Sequence, residues 1–174
     1  MRFLEEPLGP ARTAEYLALR RAAGCPVAGG ETVTTAQELL ERMASGYYDL
    51  VQPDATVVGG LHQTLAVFAG AAEHGVDAVV HCWGRAVCQA ANYHAAFAGG
   101  GRLAEWPMPR YPLRSELRVE PFHLEEGRLL PPQAPGLGIR LTAETERRYT
   151  FRDDAVYRCA TPMPPAVPGR WCRG

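Results

Sequence analysis

Five apolar, strand-like stretches of this chain each end on a polar group: FLEEP on Glu5, PVAGGE on Glu31, DLVQPD on Asp54, AVVHC on His81 and RLAEWP on Glu105. Helix-length segments separate them. A rhythm of strand, functional group and helix is the pattern of a parallel α/β sheet or barrel, in which polar groups at the carboxyl ends of the strands converge on one face. The order acid, acid, acid, histidine, acid points to a divalent metal beside an acid/base pair.

The intervening segments can be placed from their punctuation. Residues 11–23 read as a helix ended by Gly24, after which Pro26 opens an extended piece. Thr35 and Glu38 have capping-box spacing, and Ala36, Leu39, Leu40 and Met43 share one helical face up to Gly46. Gly59 and Gly60 precede a helix whose apolar positions Leu61, Leu65, Phe68, Ala69 and Ala72 step toward Gly75. Residues 86–98 form an alanine-rich helix, and Gly99 to Gly101 turn the chain into Leu103. The fold class expected is therefore α/β: about five strands with intervening helices over residues 1–112, the C-terminal part of a (β/α) TIM-type barrel and incomplete as a closed eight-stranded one. Residues 113–149 read as an extended segment of the same domain, with two short extended pieces around a turn. Residues 150–174 are proline-rich and aperiodic, a composition that predicts poor order.

Composition narrows the chemistry. With 174 residues, 47% hydrophobic and 21% charged, the chain can bury one core. All 18 basic residues are arginines, balanced by 19 acids, so a basic nucleic-acid face is not expected and no lysine base or Schiff base can come from these residues. The five cysteines have no metal-ligand spacing, no leader pattern opens the chain, and no apolar run reaches the roughly 20 residues of a membrane span. These features read as a reduced, cytoplasmic protein.

Each candidate also has an ordinary structural reading. Glu5 with Glu6 could simply be a solvated loop entry, Glu31 a helix cap, Asp54 a strand-end turn residue and His81 a structural histidine. Trp83 could line a pocket or pack, and His62, His74, His94 and His123 read as surface or packing residues. Cys82 could touch a pocket wall, with no sign of nucleophilic duty.

Taken in order, FLEEPL, PVAGGET, DLVQPDATVVGG, VVHCWG, LAEWP and PPQAPGLGI resemble the C-terminal half of the mandelate racemase branch of the enolase superfamily, over about residues 2–141. The separations also fit, with 26 residues from Glu5 to Glu31, 23 more to Asp54 and 27 more to His81. The resemblance implies that Glu5 and Glu31 are two of three carboxylates that bind Mg2+. It implies that Asp54 and His81 are an acid/base dyad, and that Glu105 hydrogen-bonds the substrate carboxylate as it becomes an enediolate. The family's second-strand lysine and third-strand aspartate precede its EEP segment, and this chain starts four residues before Glu5.

The function so implied is Mg2+-dependent removal of a proton α to a carboxylate, with racemisation, epimerisation or dehydration of a hydroxy or sugar acid. The missing groups would come from an N-terminal half or a homo-oligomeric partner. The absence of lysine, with only Val57 and its neighbours at the matching place, argues against the muconate cycloisomerase branch. The alternatives are a truncated, non-catalytic remnant or partner-binding module of the same family, and more distantly an unrelated barrel enzyme.

Overall fold

The computed structural model describes residues 2–107 and 111–153. Its centre is a four-stranded parallel sheet of β1 (Leu4–Glu5), β2 (Val27–Gly29), β3 (Leu50–Val51) and β4 (Asp77–Ala78), in the order β1-β2-β3-β4. Leu4 pairs with Val27, Ala28 with Leu50, and Val51 with Ala78. The crossovers are α1 (Thr13–Ala22), α2 (Ala36–Ala44) and α3 (Leu61–His74), and α4 (Ala86–Ala98) follows β4. The α/β class expected from the sequence is the one observed, as an open sheet and not a closed barrel.

Both faces of the sheet are apolar because helices cover one face and strand residues meet on the other. Val27 and Val51 point into a core built from Tyr16, Leu39, Met43, Val67 and Ala71 of the first three helices. Their neighbours Ala28 and Leu50 point the opposite way and cluster with Val79, against Phe3 and Leu103. This alternation with period two makes an inner apolar layer, and the next inward position on each strand lies one step nearer the carboxyl end.

The helices follow from their boundaries. Thr35 Oγ1 accepts the Glu38 N–H at 3.2 Å, which caps α2 as its spacing predicts and is worth about 1 kcal/mol. Gly75, at φ 65°, ends α3 in the left-handed conformation. The buried face of α3 is Thr64, Val67, Phe68, Gly70 and Ala71, whereas Leu61, Ala69 and Ala72, expected inside, are exposed and Leu65 is half-buried. The reason is contact with α2: a Cβ on Gly70 would lie 2.1 Å from Leu40 Cδ2, so this small residue marks where the two helices touch. Thr64 is admitted to the core because its hydroxyl donates to the Gly60 carbonyl at 3.0 Å.

The fifth strand expected from the sequence is not part of the ladder. Leu103 packs onto the inner apolar layer, but residues 102–107 form no strand among the described residues. Tyr93 of α4 fixes the segment instead, its Oη donating to the Glu105 carbonyl at 2.7 Å. A two-residue edge strand such as β4 offers little ladder to pair with.

Beyond α5 (Pro112–Ser115), β5 (Leu124–Glu125) and β6 (Arg128–Leu129) form an antiparallel hairpin, which occupies only the start of the stretch over residues 124–142 where two extended pieces are expected. Glu126 and Gly127 turn it at φ 49° and 76°. A short α6 (Ala143–Arg148) follows. Of the proline-rich tail, residues 154–174 lie outside the described residues, and Cys159 and Cys172 with them. No helix among the described residues is long and apolar enough to cross a membrane.

Candidate active site

The inner layer explains how side chains from distant segments meet. Two residues beyond Phe3, Leu50, Val79 and Leu103, on the same face, stand Glu5, Gln52, His81 and Glu105. A polar layer therefore sits directly above an apolar one at the carboxyl ends of the strands. A cleft of about 510 Å3 opens near the other end, lined by Arg2, Asp77, Gly100 and Arg102, and Glu5, Gln52, His81 and Glu105 do not line it.

Asp54 and His81 form the most ordered part of the layer. His81 Nδ1 lies 3.0 Å from Asp54 Oδ2. Asp54 is 3% exposed and its other oxygen, Oδ1, accepts from Thr56 N (2.8 Å), Thr56 Oγ1 (2.7 Å) and Asn92 Nδ2 (2.9 Å). Burial disfavours the charged carboxylate, but the hydrogen bonds from His81, Asn92 and Thr56 outweigh it and hold Asp54 down to about 2. An ionised carboxylate only accepts, so Nδ1 carries the proton and Nε2 faces Glu31. The hydrogen bond to Asp54 raises the His81 pKa, burial opposes this, and the negative charges of Glu31 and Glu105 add to it.

Glu31 Oε2 stands 3.4 Å from His81 Nε2. Burial pushes the Glu31 carboxyl up; His81 pulls it down, and the nearby charges of Glu6, Glu5 and Asp54 push it up again. Glu105 is also raised, chiefly by burial, against the Cys82 N–H at 2.7 Å on Oε2 and the Gln52 amide at 2.9 Å on Oε1. The same Gln52 Nε2 donates to Glu5 Oε1. The structure thus brings together all five residues singled out from the sequence, in two groups: Glu31 with His81 and Asp54, and Glu5 with Glu105 through Gln52.

Sequence reasoning missed Gln52. Its signal was its place two residues after Leu50, one inward step along the strand, and it is fully buried with Oε1 unpartnered. Glu6, the neighbour of Glu5, faces the other way and does structural work. Its Oε1 accepts Gly30 N at 2.6 Å and its Oε2 accepts the Tyr16 hydroxyl at 3.2 Å. A left-handed φ of 38° at Glu6 accompanies this turn. Trp83, half-exposed, meets Tyr111 edge-on at 6.0 Å and the Arg114 guanidinium at 5.8 Å. Burial pushes the Cys82 thiol up to about 12, which leaves it protonated and inert, while His62, His74 and His123 are exposed as expected.

The carboxylates also bear on metal binding. Glu5 and Glu31 offer the hard oxygen donors Mg2+ prefers, in a region where burial and then neighbouring acids raise the Glu31 pKa. Among the described residues, however, no three His, Cys, Asp or Glu side chains are grouped to hold an ion. The donor type fits; as a full ligand set, two carboxylates need a third from elsewhere.

Comparison with known proteins places the chain in a family and a fold. Residues 1–145 match the family model described as Enolase C-terminal domain-like. The chain is 29% identical over 160 residues to the D-galactarolactone cycloisomerase of Agrobacterium fabrum, covering 87% of this chain and 42% of that protein. Among solved structures, the 3,6-anhydro-D-galactonate cycloisomerase of Zobellia galactanivorans superposes with a TM-score of 0.77 at 28% identity, over 86% of this chain and 42% of that one. The L-talarate/galactarate dehydratase of Salmonella typhimurium LT2, liganded with Mg and L-lyxarohydroxamate, does so at 0.67 and 28%, over 83% and 35%. The chain spans only 30% to 42% of the length of the curated relatives it matches.

Proposed function

Because the chain belongs to the Enolase C-terminal domain-like family, we propose that it carries one half of an active site that removes the proton α to the carboxylate of an acid sugar, leading to dehydration or another enediolate-derived rearrangement. The observation that carries this reading is the oriented histidine: Asp54 occupies Nδ1 of His81, so Nε2 is the atom left to exchange a proton with substrate. Relatives named as acid-sugar dehydratases and cycloisomerases support the substrate class.

In this scheme His81 Nε2 accepts the α-proton or returns one to the same face, while the Asp54 carboxylate keeps the imidazole in one tautomer and stabilises its charged form. The electron pair left on carbon spreads into the substrate carboxylate and makes an enediolate. Glu105, raised by burial and held at its two oxygens by the Gln52 amide and the Cys82 N–H, hydrogen-bonds the substrate carboxylate as it becomes an enediolate. Glu5 and Glu31 would hold Mg2+, which supplies positive charge where the enediolate oxygens gain negative charge. The third ligand and a second acid/base group would come from outside these residues.

The test is α-proton exchange in deuterated water with galactarate, galactonate and galactarolactone, in the presence of Mg2+. It is run with the chain alone and with the N-terminal segment of a curated relative supplied in trans. Exchange that is lost in His81→Asn supports the proposal, and exchange unchanged in that variant refutes the assignment of the dyad. No exchange under either condition favours the non-catalytic remnant.

A further inference from the structure

Asp54 follows a strand segment, and its carboxylate is held both from its own turn and from α4. Three donors converge on Oδ1, two from Thr56 and one from the side-chain amide of Asn92, in the middle of α4. With Oδ1 filled, Oδ2 is the oxygen presented to His81. Asn92 is fully buried, and its amide works in both directions. Nδ2 donates to Asp54 at 2.9 Å, and Oδ1 accepts the backbone N–H of Ala55, the next residue, at 2.7 Å. A flipped amide would set oxygen against carboxylate and NH2 against N–H, so this orientation is the one the surroundings permit. Cys88, one helical turn earlier, places Sγ 3.4 Å from Asn92 Nδ2 and within 3.8 Å of both Asp54 oxygens.

We propose that Asn92 is a positioning residue of the proposed reaction: from α4 it locks the Asp54 carboxylate and the following peptide together, so that Oδ2 stays aimed at His81 Nδ1. Thr56 alone, two residues along the same turn, can follow any rotation of the turn and so cannot fix it in space. Asn92 ties the turn to a helix whose Ala90, Tyr93 and Ala95 are buried in the core. The inference rests on the acid/base reading of the dyad, but its readout needs neither substrate nor metal.

The informative substitution is Asn92→Asp. It keeps the size of the side chain and an acceptor for Ala55 N–H, but replaces the donor facing Asp54 with an acceptor of like charge. Nuclear magnetic resonance of the full chain labelled at histidine with 15N reads the consequence. The expected result is loss of the slowly exchanging Nδ1–H resonance of His81 in Asn92→Asp and in Asn92→Leu, with Ala55 amide protection retained in Asn92→Asp. Gln89→Leu, a buried change on the same helix that does not touch Asp54, should leave the resonance in place. An unchanged His81 signal in a folded Asn92→Asp protein overturns the proposal. Should the variants not fold, the wild-type chain decides. The Asn92 side-chain NH2 must exchange with water at least tenfold more slowly than that of a free asparagine, and exchange at the free rate overturns the lock. Absence of α-proton exchange with the His81 signature intact would sink the reaction and leave the role of Asn92 standing.

Discussion

Glu31 stands at Nε2 of His81, 3.4 Å away, on the side of the ring opposite the bond to Asp54. The imidazole is therefore set between two acids, one buried and held by hydrogen bonds from Thr56 and Asn92, the other partly exposed and paired with His81 among the described residues. The asymmetry makes Asp54 the more tightly held of the two acids and Glu31 the less tightly held.

That arrangement fixes the direction of a titration. Asp54, Glu31 and Glu105 all face His81, and all favour its protonated form. Glu31→Gln removes one of these charges, so the His81 pKa is expected to fall toward its ordinary value. Addition of Mg2+ to the wild-type chain should shift it the same way, because a cation on Glu31 cancels the charge His81 feels. Histidine signals followed by nuclear magnetic resonance across pH 5 to pH 9 would check both. A His81 titration indifferent to Mg2+ would count against Glu31 as a ligand.

Asp54 governs the acid limb of stability. Its folded-state pKa, about 2, lies below the unfolded value of 3.8, so the native state releases this proton more readily. The corresponding stabilisation is complete above about pH 4 and is lost as pH falls through about 2, a change of roughly 2 kcal/mol. Asp54→Asn should flatten that part of the profile, measured by urea unfolding at pH 5, 4, 3 and 2.5.

The elements legible in the sequence were those with punctuation of their own. Thr35 and Gly75 act through bonds within a few residues, so their spacing sufficed. The order of Glu5, Glu31, Asp54 and His81 was equally plain, because a parallel sheet brings the ends of its strands together, whereas Glu105 reaches the same layer without a sheet strand. Hidden from it were features set by contacts between segments: which face of α3 meets Leu40, the failure of residues 102–107 to join the ladder, and the roles of Gln52 and Asn92. Gln52 and Asn92 are polar residues in apolar surroundings, and only their partners reveal what they do.

Close packing of α4 against α3 gives a steric prediction. A Cβ on Gly99 would lie 2.6 Å from two ring atoms of Phe68 and 2.9 Å from its Cβ, and Phe68 is buried. The ring cannot swing clear as the tip of a flexible chain could. Gly99→Ala is expected to cost about 1–3 kcal/mol, seen as a lower unfolding midpoint in urea. A midpoint equal to the wild type would show that the Phe68 ring has room to move.

Gln52 couples the two halves of the polar layer, and its removal should be visible at Glu105. One amide nitrogen serves both Glu5 and Glu105, while the Cys82 N–H holds the second oxygen of Glu105. Burial already raises the Glu105 pKa, and the Gln52 donor works against that rise. Gln52→Leu keeps the volume but deletes the donor, so Glu105 should titrate at still higher pH, as read from the carboxyl 13C shift. A raised acid binds its proton more tightly when folded, so the native state loses stability as pH climbs from the unfolded to the folded value, and the variant should extend that loss upward. Gln52→Glu should act more strongly, since a third carboxylate then faces the other two, and Mg2+ should relieve it if Glu5 is a ligand. A Glu105 titration unchanged in Gln52→Leu would mean that the Cys82 N–H alone holds the carboxylate, and that Glu5 and Glu105 are independent groups.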